Sequence, residues 1–452
     1  MDTHPQTQVA QTDQPAPVPW QQAFLYWLKL GFISFGGPAG QIALMHHDLV
    51  DKKRWISEKR FLHALNYCMV LPGPEAQQLA TYIGWLMHRT WGGIMAGVLF
   101  VLPAFFLLTA LGWLYMVYGK LPAVAGVLYG IKPAIVAIVV FAAYRIGLKA
   151  LKNKVMWSIA ALAFVAIFWL NLPFPLIICF AALLGHIGGR MAPQYFQIGS
   201  SHSPAMQSHG QALIDDDTSP PAHARFNWHS LRIIGVTGLL IWLLAMASLI
   251  ALYGWQSTFS QMGWFFTKAA LLTFGGAYAV LPYVFQGAVE HYHWLTPTQM
   301  IDGLALGETT PGPLIMVVTF VGFVGGWGTP MFGAEAPLAS ALLAAAIVTF
   351  FTFLPSFVFI FMGGPLIEST HGNLKLTAPL SAITAAVVGV ILNLAVFFTY
   401  HVFWHGDQNG TIDLYAITLS LLAAIGLLYF RLNMMPVILV SGGLGLLIKL
   451  LI

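Results

Sequence analysis

The chain has 452 residues, of which 58% are hydrophobic and 8% charged, with a formal net charge of +4. Soluble domains carry roughly 25% charged residues, so polar surface here is too scarce to cover a water-soluble particle of this size. A small positive balance scattered over many loops offers no concentrated footprint for nucleic acid.

Residues 1–19 are rich in Gln, Pro and Thr and hold no Lys or Arg, so they lack the basic start of a signal peptide and are expected to be a disordered tail. Two apolar but interrupted segments follow. The first, about 20–47, breaks at Gly36, Gly37 and Pro38, and the second, about 58–88, breaks at Pro72, Gly73 and Pro74. Proline inside a helix removes a hydrogen bond and clashes with the preceding turn, and glycine lets the chain reverse. Four uninterrupted apolar stretches near 92–118, 122–144, 155–170 and 174–189 are predicted to cross a bilayer, which takes about 20 helical residues. Short alternating segments of the kind a membrane barrel needs are not seen. The fold class is all-α, a polytopic helical membrane protein with discontinuous helices. A polar stretch of about 191–228, rich in Ser, His, Pro and Gln and holding Asp215, Asp216 and Asp217, is expected to be a disordered linker. One apolar helix at 229–254 follows, and a second set of segments fills 255–452.

That second set repeats the first at 20–190. Lys29 to Gly37 (KLGFISFGG) recurs as Lys268 to Gly276 (KAALLTFGG), an offset of 239 residues that also carries Trp55 to Trp294 and Pro72–Pro74 to Pro311, Gly312 and Pro313. Beyond an insertion of 13 residues the offset becomes 252, relating Leu102 and Pro103 to Leu354 and Pro355. Broken segments in corresponding places of two halves are the best sequence pointer to a transporter's binding site. In lipid, backbone groups freed at a break must be satisfied by protein or by a water-lined cavity.

Basic residues next to spans mark the cytoplasmic side. They cluster at Lys52, Lys53, Arg54, Lys59 and Arg60, then at Arg145, Lys149, Lys152 and Lys154. Both clusters fall on one face if the broken segments are re-entrant hairpins. The unpaired helix after the linker then inverts the second half, in which residues 276–374 hold no Lys or Arg, while Lys375 returns to the inside. This arrangement puts the N-terminus in the cytoplasm and the C-terminus outside a bacterial-type inner membrane. The rival arrangement, with parallel halves, lets the first broken segment cross.

Helix N-termini present free N–H groups and a partial positive charge that favour anions. Pro38, Pro74 and Pro313 suit the first helical position, so half-helices are expected to start at the breaks with their N–H groups aimed at the centre. Gly36, Gly37, Gly73, Gly275, Gly276 and Gly312 would let a ligand approach the backbone. Ser34, Thr273, Thr309 and Thr310 offer hydroxyls, and Gln41, Gln77 and Gln78 offer amides. The expected site is therefore a nest of neutral donors for a tetrahedral oxyanion. Lys29 and Lys268, at equivalent apolar positions, are either charge partners of that site or cations snorkelling to an interface. Glu75 and Glu308 flank the two Pro-Gly-Pro breaks, as a helix cap or as a titrating gate. His401 and His405 are four apart but sit at a helix end, where interfacial residues are expected rather than metal ligands. Cys68 and Cys179 make no disulfide framework. The sequence holds no cofactor motif and no nucleophile–base pair, so no enzyme is expected.

Phe35 to Ala39 (FGGPA), the basic stretch ending at Trp55, and Leu71 to Gly84 (LPGPEAQQLATYIG) closely resemble the chromate ion transporter family. Thr273–Gly276 and Thr310–Pro313 resemble its long, two-domain members. The resemblance covers about 20–452 apart from the linker. It implies export of chromate, conferring chromate resistance, with sulfate as the look-alike anion. A sulfate or other oxyanion carrier and a passive anion channel remain alternatives, and the oligomeric state is open, a homodimer included.

Overall fold

The computed structural model describes residues 15–196, 211–216, 218, 221–369, 377–404 and 412–451. The tail up to residue 14, Asp217, Lys375 and His405 lie outside the described residues. Sixteen α-helices are found among the described residues, with two isolated β-bridges and no strand. The first half contains α1 (Trp20–Ile33), α2 (Gly37–His46), α3 (Glu58–Cys68), α4 (Glu75–Tyr118), α5 (Pro122–Ala150), α6 (Lys154–Phe168) and α7 (Phe174–Met191). After α8 (Trp228–Tyr253) come α9 (Thr258–Leu272), α10 (Ala277–Phe285), α11 (Pro297–Thr309), α12 (Val317–Gly328), α13 (Pro337–Ser369), α14 (Thr377–Phe403), α15 (Leu414–Leu428) and α16 (Met434–Leu451). Seven of these, α4, α5, α7, α8, α13, α14 and α16, are long and apolar enough to cross a membrane. The chain is a multi-pass helical membrane protein.

The sequence offset of 239 is written into the backbone as well. Left-handed φ angles at Gly36, Gly37 and Gly73 (88°, 70° and 129°) recur at Gly275, Gly276 and Gly312 (81°, 95° and 103°). Arg54 (51°) recurs as His293 (53°), and a π-helical turn at His47–Lys52 recurs at Gln286–His291.

Helix α4 is two arms. His88 (φ −135°, ψ 31°) and Arg89 (φ 57°, ψ −160°) are non-helical, and the chain reverses there. Small residues let the arms touch: a methyl group on Gly84 would stand 2.6 Å from Ala96 Cβ, and one on Gly97 2.7 Å from Gln77 Nε2. Residues 75–87 therefore run antiparallel to 90–118. The longer arm, 29 residues, is about 43 Å long, enough to cross a bilayer. In the second half, α12 and α13 make the same antiparallel pair, joined by the loop 329–336 instead of a tight turn, which is where part of the extra length goes.

The first-half hairpins gather at the His88 end of the long arm. The Val18 carbonyl lies 2.8 Å from His88 Nε2, and Lys53 Nζ stands 5.6 Å from the Tyr26 ring, so the chain comes back to the level at which it began α1. Arg60 at the start of α3 and Tyr82 near the end of the short α4 arm both reach Glu368. The start of α11 gathers at the opposite end, where Asp302 meets Tyr115. One apolar core holds the first-half hairpins with the end of α13, and a second holds α5–α7 with the second-half hairpins and α14–α16. Helix α8 lies on the rim, its face covered by α13 and α9, with Gly238 against Val358.

Two expectations are corrected here. Residues 211–216, expected as part of an unstructured linker, lie against the loop 54–57, and His223 and Ala224 pack nearby. Ile214 and Ile56 form a parallel bridge, Ser57 Oγ donates to Asp216 at 2.6 Å, and His223 Nε2 sits 2.9 Å from the Trp85 carbonyl. Mean composition hid three apolar residues, Ala212, Ile214 and Ala224, all of them buried. Pro74 and Pro313 are also one residue off. They are N-caps rather than first helical residues, and Pro38 is second in α2. An N-cap has extended ψ and needs no helical N–H of its own, so proline fits it equally well.

Candidate functional site

The four breaks meet, and they meet crosswise. Gly73 N–H donates to the Thr273 carbonyl at 2.8 Å, and Gly312 N–H donates to the Ser34 carbonyl at 2.8 Å. Gly73 and Gly312 are repeat equivalents, and so are Ser34 and Thr273, so each half's second break is bonded to the other half's first. The caps match as well: Ser34 ends α1 at φ −81°, ψ 77°, and Thr273 ends α9 at φ −79°, ψ 79°. Both are fully buried. A helix ends at each break, and its freed carbonyl is satisfied by the partner hairpin rather than by water.

Glutamines brace the crossing. Gln41 Nε2 donates to the Ser34 carbonyl at 3.2 Å and to the Gly312 carbonyl at 2.5 Å. Gln78 Nε2 donates to the Pro72 carbonyl at 2.8 Å, and Gln77 Nε2 to Thr81 Oγ1 at 3.0 Å. Gln41, Gln77 and Gln78 are buried.

The hydroxyls divide into two groups. Thr273 donates to Ala269 at 2.6 Å, Thr309 to Leu306 at 2.9 Å and Thr310 to Gly307 at 2.9 Å, each bonding a carbonyl one turn back in its own helix. Those protons are committed, so the expected donor role is not available to these three threonines as they stand. Ser34 Oγ is buried with no partner among the described residues. So are Ser356 Oγ and the Oε1 atoms of Gln41, Gln77 and Gln78. Each unpaired buried polar group costs about 1–3 kcal/mol. Several of them along one pair of breaks calls for polar guests in that place.

Ser356 was missed by the sequence reading. A methyl on Gly73 would overlap its Oγ, and one on Gly312 would stand 2.8 Å from Ala104 Cβ. Ser356 and Ala104 each follow the repeated proline, Pro355 or Pro103, so a hydroxyl replacing alanine at a duplicated position was a legible signal. The glycines also differ in kind. No atom lies within 4 Å of where a Cβ would stand on Gly36, Gly37 or Gly276, so those backbones border open space, whereas Gly73 and Gly312 are packed solid.

The charged candidates lie around the crossing. Glu308 accepts a hydrogen bond from Tyr278, two residues after Gly276. Glu75 begins α4 within electrostatic reach of Lys149, and Tyr278 is within reach of Arg145. Lys149 and Arg145, one helical turn apart on α5, thus act electrostatically on Glu75 and on Tyr278 respectively, although the sequence alone used them only to orient the chain. Lys29 is exposed on α1, and the ammonium of Lys268 sits 5.7 Å from the exposed Trp264 ring. Both lysines point away from the crossing. His401 stacks on Phe397 with ring centroids 3.9 Å apart.

Crossed, broken helices buried in a multi-pass bundle are the arrangement in which many membrane transporters build their binding sites. The chromate transporter family pattern matches residues 21–186 and again 260–446. The chain belongs to that family. It is 29% identical to the chromate transport protein of Cupriavidus metallidurans over 450 residues, covering 97% of this chain and 96% of that one. It is 32% identical to the chromate transport protein of Pseudomonas aeruginosa over 384 residues, 83% of this chain and 80% of the relative. An uncharacterized transporter of Bacillus subtilis matches at 31% over 135 residues, 30% of this chain but 68% of its own length. No solved structure matches the chain. Family membership indicates transport rather than catalysis.

Proposed function

We propose that the chain exports chromate from the cytoplasm, binding it at the crossing of the four breaks. The reciprocal Gly73–Thr273 and Gly312–Ser34 hydrogen bonds carry this reading. They hold two repeat-related turns together at one point, and the partnerless Ser34 and Ser356 hydroxyls mark that place as the one prepared for a guest. Chromate is a tetrahedral dianion. The two hydroxyls donate to it, and Arg145 and Lys149 raise the local positive potential beside it. Water arriving with the oxyanion supplies donors for the glutamine Oε1 atoms. Sulfate has the same charge and shape, so it competes.

The halves are inverted in this reading, because their hairpins approach the crossing from opposite ends of the long α4 arm. The 52–60 and 145–154 clusters then face the cytoplasm. Cysteines at position 53 and at 292 should react with impermeant thiol reagents from opposite sides of the membrane, and reaction from one common side would rule the inversion out.

Uptake of labelled chromate into inside-out vesicles tests the function. Uptake should saturate, show counterflow and yield to sulfate. Vesicles carrying the inserted protein that took up no more chromate than empty controls would refute the proposal.

A further inference from the structure

Away from the breaks, a cavity of about 260 Å³ lies between the end of α4, the start of α5 and the start of α11, lined in part by Tyr115, Lys120, Lys132, Thr298, Gln299 and Asp302. Asp302 is 2% exposed, and its Oδ1 stands 3.5 Å from Nζ of Lys132, which is 25% exposed. Asp302 Oδ2 accepts a 2.9 Å hydrogen bond from the Tyr115 hydroxyl. An ammonium has three N–H groups and Asp302 Oδ1 can take only one of them at this distance, so Lys132 keeps donors to spare. Lys132 is ten residues into α5, roughly 15 Å along the helix axis, a depth at which charges are rare and functional.

The lining carries two ammonium groups against one carboxylate, together with a threonine hydroxyl and a glutamine amide. Such a surface is positive and rich in donors, as an oxyanion requires. The opposite end of the molecule is built differently. There Glu368 accepts from Tyr82 and pairs with Arg60 at 3.7 Å, but the pair is 13% and 8% exposed, and Arg60 is also bonded to the Thr218 carbonyl. That cation is nearly shut off from solvent, whereas Lys132 borders open volume.

We propose that Lys132 and Asp302 form an exit subsite for the transported oxyanion, in which the Asp302 carboxylate competes with the oxyanion for the Lys132 ammonium. This rests on the reading of the chain as an oxyanion exporter with this cavity on the outer face. The departing dianion moves from neutral donors at the crossing to a cation, which draws it outward. The carboxylate then reclaims the ammonium and keeps the dianion from staying. An oxyanion arriving from outside meets a lysine already paired, so back-binding is weak.

Inside-out vesicles loaded with sulfate measure this directly, since the lumen is the outer face, and labelled chromate uptake reports export. Asp302→Asn should lower the lumenal sulfate giving half-inhibition by about tenfold, because a charge-assisted bond no longer has a competitor. Lys132→Gln should raise it by a similar factor. Opposite signs separate an exit subsite from a structural ion pair, whose loss would impair both variants alike. Asp302→Asn leaves a half-buried lysine without its carboxylate, which can impair insertion. The double variant Lys132→Gln/Asp302→Asn buries no charge and must then behave like Lys132→Gln. Shifts of the same sign in the single variants, or an unchanged sulfate response in the double variant, would overturn the subsite while wild-type export stood. Absent wild-type uptake would instead sink the transport reading itself.

Discussion

Two equivalent residues, Ser34 and Thr273, show how a duplicated backbone comes to hold different chemistry. Their φ and ψ agree within a few degrees, and both carbonyls accept from a glycine of the other half. Thr273 nevertheless turns its hydroxyl back to Ala269, whereas Ser34 Oγ stays unpaired in a fully buried position. Removing each hydroxyl should therefore have opposite consequences. Ser34→Ala loses no hydrogen bond in the empty protein and should leave thermal stability unchanged or slightly higher, while chromate affinity falls about tenfold, the worth of one bond to a charged group. Thr273→Val loses a bond to its own helix, roughly 1 kcal/mol, and should lower the melting temperature with little change in affinity. Melting in detergent and half-saturation of vesicle uptake measure both. Equal losses of affinity would show that the two hydroxyls share one role.

Among the elements, the breaks were legible because Gly-Gly-Pro and Pro-Gly-Pro are local commands to the backbone, and their recurrence at a fixed offset linked them. What the breaks do to one another was not legible. The bonds between Gly73 and Thr273 and between Gly312 and Ser34 join residues some 200 and 280 positions apart, and no local pattern encodes that meeting. The same limit hid Tyr278 and the Lys132–Asp302 pair, whose partners lie on other helices. The reversal at His88 and Arg89 was blurred for another reason: neither residue is a glycine or proline, so the chain gives no turn signal there. Its signal lies in the flanking glycines, Gly84, Gly92, Gly93 and Gly97, which let the two arms of α4 come together. Gly84→Leu should force the arms apart, because its side chain would run into Ala96 and the Gly92 carbonyl. Overpacking costs about 1–3 kcal/mol even where neighbours can yield, and here one neighbour is backbone. A marked drop in melting temperature and insertion yield is expected. Gly443→Leu, exposed and with no atom within 4 Å of its Cβ position, serves as the control and should melt like the wild type. Normal melting of Gly84→Leu would mean that the arms do not pack as described.

For the molecule as a whole, the proposed export raises the question of what would push a dianion outward. The crossing offers neutral donors, and the cations around it are fixed to helices, with Arg145 and Lys149 on α5 and Lys29 and Lys268 turned away from the breaks. A bound oxyanion therefore crosses with its own charge largely uncompensated by the protein. Moving one charge through the membrane potential is worth about 2.3 kcal/mol per 100 mV, so a dianion gains about 4.6 kcal/mol on leaving an interior held at that potential. At 1.4 kcal/mol per factor of ten, this sustains a gradient of roughly 2000-fold with no partner ion. Export should then be electrogenic and respond to potential rather than to proton gradient. In inside-out vesicles energised to a positive lumen, collapsing the potential with a potassium ionophore should abolish chromate accumulation, and dissipating only the pH difference should leave it intact. Counterflow of labelled against unlabelled chromate needs no driving force and should survive both treatments, which shows that the protein is still working when accumulation stops. If dissipating the pH difference alone stopped accumulation, a proton would have to be carried with each turnover. The carboxylates beside the crossing, Glu75 and Glu308, would then be the first positions to replace.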